Sequence, residues 1–229
     1  MNTQQTAVRT RSLVPLFLFW VCLAPWFCQT LRSDETTATP QALFEQAIDE
    51  FFRGDPKASA QTFDKLIAVQ PSAAPKLWQH GLALYYAERF DDGRKQFELH
   101  KTVNPNDIEN PAWHYLCVAR LQSPEEARLH MLPVGNDTRV PMKEILALYK
   151  GQGSKEAVLE AAEKGEAGQD LRNQLCYAHL YLGLYAEAHD DTIAAKRHMV
   201  LAATRYRMDH FMGRVARLHA SLRGWLQEP

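Results

Sequence analysis

Two stretches of this chain align on one another at a spacing of 34 residues, and that register constrains the fold more than any other feature. Leu43, Ala47, Ser59, Phe63 and Pro71 recur as Leu77, Gly81, Gly93, Phe97 and Pro105, each pair 34 positions apart. A period of this length belongs to a repeat built from one helical hairpin. A lone hairpin cannot bury its apolar face, so it stacks on its neighbours. The expected fold is all-α, a short right-handed α-solenoid of helical hairpins.

Local signals divide the chain accordingly. Thr39-Pro40 opens a helix with threonine at the N-cap and proline at N1. Leu43, Phe44, Ala47, Ile48, Phe51 and Phe52 follow at helical spacing. Gly54-Asp55-Pro56 stops that helix and starts the next, and Pro71 ends the unit. The first repeat spans about 40–73 and the second about 74–107. Gly81 and Gly93 are expected where the two helices of the second hairpin touch, because small residues let backbones approach closely. A third, degenerate unit covers 108–131, with Trp113, Leu116 and Cys117. Ser123-Pro124-Glu125-Glu126 is a helix start whose acids face the helix dipole. Pro133–Pro141 reads as loop, followed by two short helices near Met142–Lys150 and Ser154–Lys164. The last repeat covers 176–206: Gly183, Ala195 and Met199 repeat the offsets of Gly81, Gly93 and Phe97. A capping helix, 208–225, carries Phe211, Val215, Leu218 and Leu222 on one face, as the exposed end of a solenoid requires. The whole helical domain is 40–229.

The first 33 residues differ from the rest. Arg9 and Arg11 precede an apolar run from Leu13 to Cys28, and no acid occurs before Asp34. A basic segment followed by a short apolar one is the pattern of a secretory signal. At about 1.5 Å per residue the run reaches roughly 24 Å, short of a ~30 Å hydrocarbon core. Residues 1–33 are therefore expected to be a signal peptide, with 34–39 a polar linker and the mature protein exported to a periplasmic, luminal or secreted compartment. The alternative is an uncleaved anchor formed by residues 13–28, which is also the one expected route to a membrane. With cleavage after Ser33 the net charge becomes 23 − 27 = −4, which gives no electrostatic reason to expect nucleic acid. The mature chain keeps Cys117 and Cys176. Export permits a disulfide between them; their apolar helical settings favour two separate buried thiols.

Leu77–Asp107 (LWQHGLALYYAERFDDGRKQFELHKTVNPND) closely resembles the tetratricopeptide family. It is especially similar to exported or organellar tetratricopeptide-like proteins of bacteria and plants, most without an assigned function. Leu180–Ala203 (LYLGLYAEAHDDTIAAKRHMVLAA) is similar to the last repeat of envelope tetratricopeptide lipoproteins. The resemblance spans Pro40–Trp225 and is strongest in the second and last repeats. A lipoprotein processing site is absent, because bulky Pro25-Trp26-Phe27 precede Cys28. The resemblance implies a non-catalytic adaptor for a protein or peptide partner. In family geometry its groove would be lined by Phe44, Ile48, Phe51, Phe52, Trp78, Leu82, Tyr85 and Tyr86. Aromatic anchors of this kind suit an extended peptide or an amphipathic helix. The family's Lys/Asn clamp for a terminal carboxylate is not seen; its positions hold Trp78 and Leu82.

Other chemistry finds little support. His179, His189 and His198 with Asp190 and Asp191 form the densest set of metal-ligand types, yet no H-E-x-x-H or other ligand spacing occurs. There is no nucleophile elbow, Walker loop or G-x-G-x-x-G after a strand. No catalytic residue, metal or cofactor is expected. Three readings follow. One is a protein-binding adaptor. Another is a structural subunit whose groove is filled by its own residues. The third is an enzyme built on the irregular middle near Pro133–Pro141. Exposure of Trp78 and Tyr85 discriminates the first two.

Overall fold

The structure, a computed structural model, describes residues 38–165 and 167–226. The expected leader of residues 1–33, with its alternative anchor reading, and most of the 34–39 linker lie outside the described residues. Eleven α-helices and one 3-10 helix make up the described secondary structure: α1 Pro40–Phe52, α2 Pro56–Val69, a 3-10 helix Pro71–Lys76, α3 Trp78–Tyr86, α4 Phe90–Lys101, α5 Glu109–Leu121, α6 Pro124–Leu129, α7 Met142–Tyr149, α8 Lys155–Glu163, α9 Gln169–Ala188, α10 Thr192–Ala203 and α11 Phe211–Leu222. None of the described helices is long and apolar enough to cross a membrane.

Helix starts follow the capping chemistry of the sequence. Thr39 accepts a hydrogen bond from the Ala42 N–H at 3.2 Å, Asp55 from Ala58 at 2.9 Å, and Ser123 from Glu126 at 3.2 Å. Each side chain satisfies a donor that the first turn leaves unpaired. Two boundaries differ from expectation. The segment after Pro71 continues as a 3-10 helix, because Pro71 and Pro75 both fit the tight turn's φ while removing α-helical donors. The first helix of the last hairpin begins at Gln169 rather than 176. Leu171 and Leu175 extend its apolar face by two turns beyond the repeat length.

Consecutive helices pack as adjacent pairs from α1 to α6 and again from α7 to α11. In three hairpins the corresponding pair of small residues meets across the two helices. Ser59 donates its hydroxyl to the Ala47 carbonyl at 2.7 Å. A β-carbon on Gly93 would stand 3.6 Å from the Gly81 carbonyl oxygen, and one on Gly183 would stand 3.3 Å from that of Ala195. The pairs 47/59, 81/93 and 183/195 are each 12 residues apart, so the small residues meet where the sequence register puts them. Gly81 also lies against the Phe97 ring, with a β-carbon placed there only 2.6 Å from it. Gly93 faces the next hairpin as well, 3.0 Å from the Cys117 sulfur on the same construction. We predict that Gly93→Leu lowers stability by about 1–3 kcal/mol through overpacking. A melting curve that superimposes on the parent's would refute the close approach of α3, α4 and α5.

Packing also departs from a one-dimensional array, in which a repeat touches only its neighbours. Helix α11 packs on α10 and α9 and also reaches α1. Phe211 provides that contact, stacked on Phe51 at 6.3 Å and edge-on to Phe52 at 4.8 Å between ring centroids. Cys117 and Cys176 are buried free thiols.

Candidate functional site

The eight residues expected to line a groove fall into two groups. Phe51, Leu82, Tyr85 and Tyr86 are buried, Tyr85 with only 4% of its surface exposed. Phe44, Ile48, Phe52 and Trp78 are partly buried against the same core. Phe44 packs edge-on to Phe63 of α2. Tyr85 packs edge-on to Trp113 at 5.3 Å, and the Tyr86 hydroxyl lies 3.0 Å from Nδ1 of the buried His219 on α11. Phe211 covers Trp78 as well, edge-on at 4.7 Å. The aromatic face is thus largely occupied by the chain's own last helix.

A cavity of about 270 Å³ lies beside it. Trp78 of α3 is the one expected groove residue among its lining. Phe97, Trp113, Tyr177 and Phe211 supply the rest of its aromatic wall. Its polar side is formed by Asp107, Glu109, Asn110 and Arg139, with His100 and His210 nearby on the lining.

Arg139 organises that polar side. It belongs to the loop that the sequence places at Pro133–Pro141, and that loop is pinned back onto the turn between α4 and α5. The Gly135 N–H donates to the Pro105 carbonyl at 2.9 Å, and the Asp137 carboxylate accepts the Ile108 N–H at 3.1 Å. The Arg139 guanidinium then reaches Asp107 at 2.5 Å, Glu109 at 2.6 Å and Asp137 at 2.6 Å. Such a planar fork can donate in several directions at once. Glu109 is 13% exposed and also accepts from the Tyr181 hydroxyl at 2.7 Å. Trp113 Nε1 donates to that same hydroxyl at 3.1 Å. Burial and the adjacent Asp107 charge push the Glu109 carboxyl above its ordinary range, against the pull of Arg139 and Tyr181. Burial of Asp137 works in the same direction, but hydrogen bonds from Arg139 and Ile108 hold its carboxyl below the usual value.

Asn110 stands apart from this network. It is 3% exposed, and neither its amide nitrogen nor its amide oxygen meets a hydrogen-bond partner among the described residues. An unpaired buried amide is expensive, about 1–3 kcal/mol per group.

The histidines considered as a metal set make separate contacts. His179 and His198 face each other with Nδ1 atoms 2.8 Å apart, while His189 is engaged by Arg128 at 2.9 Å and the Tyr185 carbonyl at 2.8 Å. Among the described residues no group of three or more His, Cys, Asp or Glu side chains is arranged to hold a metal ion. No protein-family model matches the chain, and no curated protein matches it significantly.

Trp78 is expected at a groove because the tetratricopeptide resemblance implies that position. Sequence reasoning did not reach Asp107, Glu109, Asn110, Arg139 or Tyr177 as a group. The turn residue Asp107 and the loop holding Arg139 were visible separately, and only the tertiary fold joins them across about 30 residues.

Proposed function

We propose that this chain is a non-catalytic helical adaptor of tetratricopeptide-like hairpins, arranged as a short right-handed solenoid and exported through its N-terminal segment. It binds a segment of a partner protein at the cavity bordered by Trp78, Trp113 and Tyr177. The observation that carries this reading is the cavity itself. It lies beside the aromatic face, with Trp78 of that face and Phe211 of α11 both in its lining, and it combines aromatic walls with a few convergent polar groups, as binding sites commonly do. The repeated 47/59, 81/93 and 183/195 crossings support the hairpin reading. The non-catalytic reading is supported by the thiols. Burial pushes Cys117 and Cys176 up, the latter to about 11, and a protonated thiol is a poor nucleophile.

A second reading is a structural subunit with a self-filled groove. The seating of Phe211 on Phe51, Phe52 and Trp78 favours it. Crosslinking the full-length protein in its own cells, followed by recovery of bound partners, separates the two. Trp78→Ala should reduce partner recovery in proportion to a loss of about 2 kcal/mol, as for an aromatic anchor, with the circular dichroism of the parent. Unchanged recovery by the folded variant would move the interface away from the cavity and favour the structural subunit.

A further inference from the structure

The lining of the cavity specifies more than an apolar partner. Asp107, Glu109 and Asp137 all lean on a single guanidinium, Arg139. Two of these carboxylates, Asp107 and Glu109, line the cavity together with Arg139, so this side of it carries two acidic groups against one cation. Trp78, Trp113 and Tyr177 line the same cavity. One of them already hosts a cation, since the Arg139 guanidinium carbon lies 5.9 Å from the Tyr177 ring centroid. Aromatic faces beside carboxylates attract organic cations. The volume, about 270 Å³, falls just below the range of small-molecule pockets; it suits one long side chain better than a bulky cofactor.

Asn110 supplies an independent pointer. It lines the same cavity, is almost fully buried, and carries one donor and one acceptor that no described residue satisfies. Its complement is another amide, with a carbonyl for Nδ2 and an N–H for Oδ1. A polypeptide backbone offers that pair; a simple amine does not.

We propose that the cavity receives a basic side chain of a partner polypeptide, its cation held between Asp107, Glu109 and the aromatic walls and its backbone amide met by Asn110. The assignment rests on the adaptor reading and names the chemistry of the segment bound.

The test is a titration of the full-length protein, followed by tryptophan fluorescence, with three probes. These are the capped peptide acetyl-Ala-Ala-Lys-Ala-Ala-amide, the same peptide with norleucine in place of lysine, and butylamine. The lysine peptide should bind at least about ten times more tightly than the norleucine peptide, and more tightly than butylamine. Glu109→Gln, which keeps a hydrogen-bonding side chain, should bring the lysine preference below about threefold. Asn110→Leu should weaken both peptides equally and at the same time raise the melting temperature, because it removes an unsatisfied buried amide; a purely structural asparagine would not separate the two readouts in this way. Equal binding of the lysine and norleucine peptides would overturn the proposal while leaving the adaptor reading intact. Butylamine binding as tightly as the lysine peptide would overturn the polypeptide assignment in favour of a free amine. No binding by any probe would overturn it too, and the adaptor reading is then decided separately by partner recovery with Trp78→Ala.

Discussion

Replacing Arg139 by methionine is expected to destabilise the protein by about 2–3 kcal/mol. Breaking a buried ion pair by removing one partner typically costs about 3–5 kcal/mol, because the remaining charge is left uncompensated. Here Glu109 and Asp137 are 13% and 5% exposed at their side chains, whereas Arg139 itself is 41% exposed. Solvent reaches the guanidinium, so the loss falls at or just below the lower end of that range. For a helical domain of this size the loss corresponds to a fall in melting temperature of roughly 4–12 °C. Adding Asp137→Asn to the Arg139→Met variant should recover part of it, since one orphaned charge is then removed. If Arg139→Met melts with the parent, the loop carrying it is not anchored by charge, and the cavity's polar side is not the fixed platform described above.

Mild acid is expected to weaken the fold by about twice that amount through two buried histidines. His219 is fully buried beside the Tyr86 hydroxyl, with Glu187 at 3.4 Å. Burial lowers its pKa from 6.5 to about 4, with Glu187 opposing and Arg223 adding to the shift. His179 is likewise lowered to about 4 by burial and by the charges of His198, Arg197 and Arg205. Both pKa values are depressed in the folded state, so between pH 4 and 6.5 the unfolded chain binds the extra protons. The stabilisation is complete above about pH 6.5, is lost as pH falls toward 4, and levels off below that. A shift of 6.5 − 4 = 2.5 units corresponds to about 3 kcal/mol for each histidine. Urea unfolding at pH 7 and at pH 4.5 measures the loss. His219→Gln should flatten the profile by most of its own share. An unaltered profile in that variant would mean that His219 titrates as it does in the unfolded chain.

The parts of this fold that were legible in the sequence are those fixed locally. Thr39, Asp55 and Ser123 announce their helices because a cap and a proline act within four residues. Gly81 and Gly93 announce a close crossing because only a small residue fits there. The extension of α9 back to Gln169 was not legible, since its polar first turn follows Gly168 without a side-chain cap. Nor was the return of α11 onto α1. The apolar face around Phe211 states that the helix must pack, but not on what. The site shows the same division: Trp78 follows from the position that the family resemblance implies within one helix, whereas the meeting of Arg139 with Asp107 and Glu109 depends on a loop crossing back to a distant turn.

The contact of Phe211 with Phe51 and Phe52 ties the two ends of the described chain together. An open array of hairpins tolerates gain or loss of a unit, because each junction is local. Here one junction is not local. An extra hairpin inserted between α6 and α7 would have to be accommodated without moving Phe211 from Phe51 and Phe52, or the last helix would have to be remade in the same step.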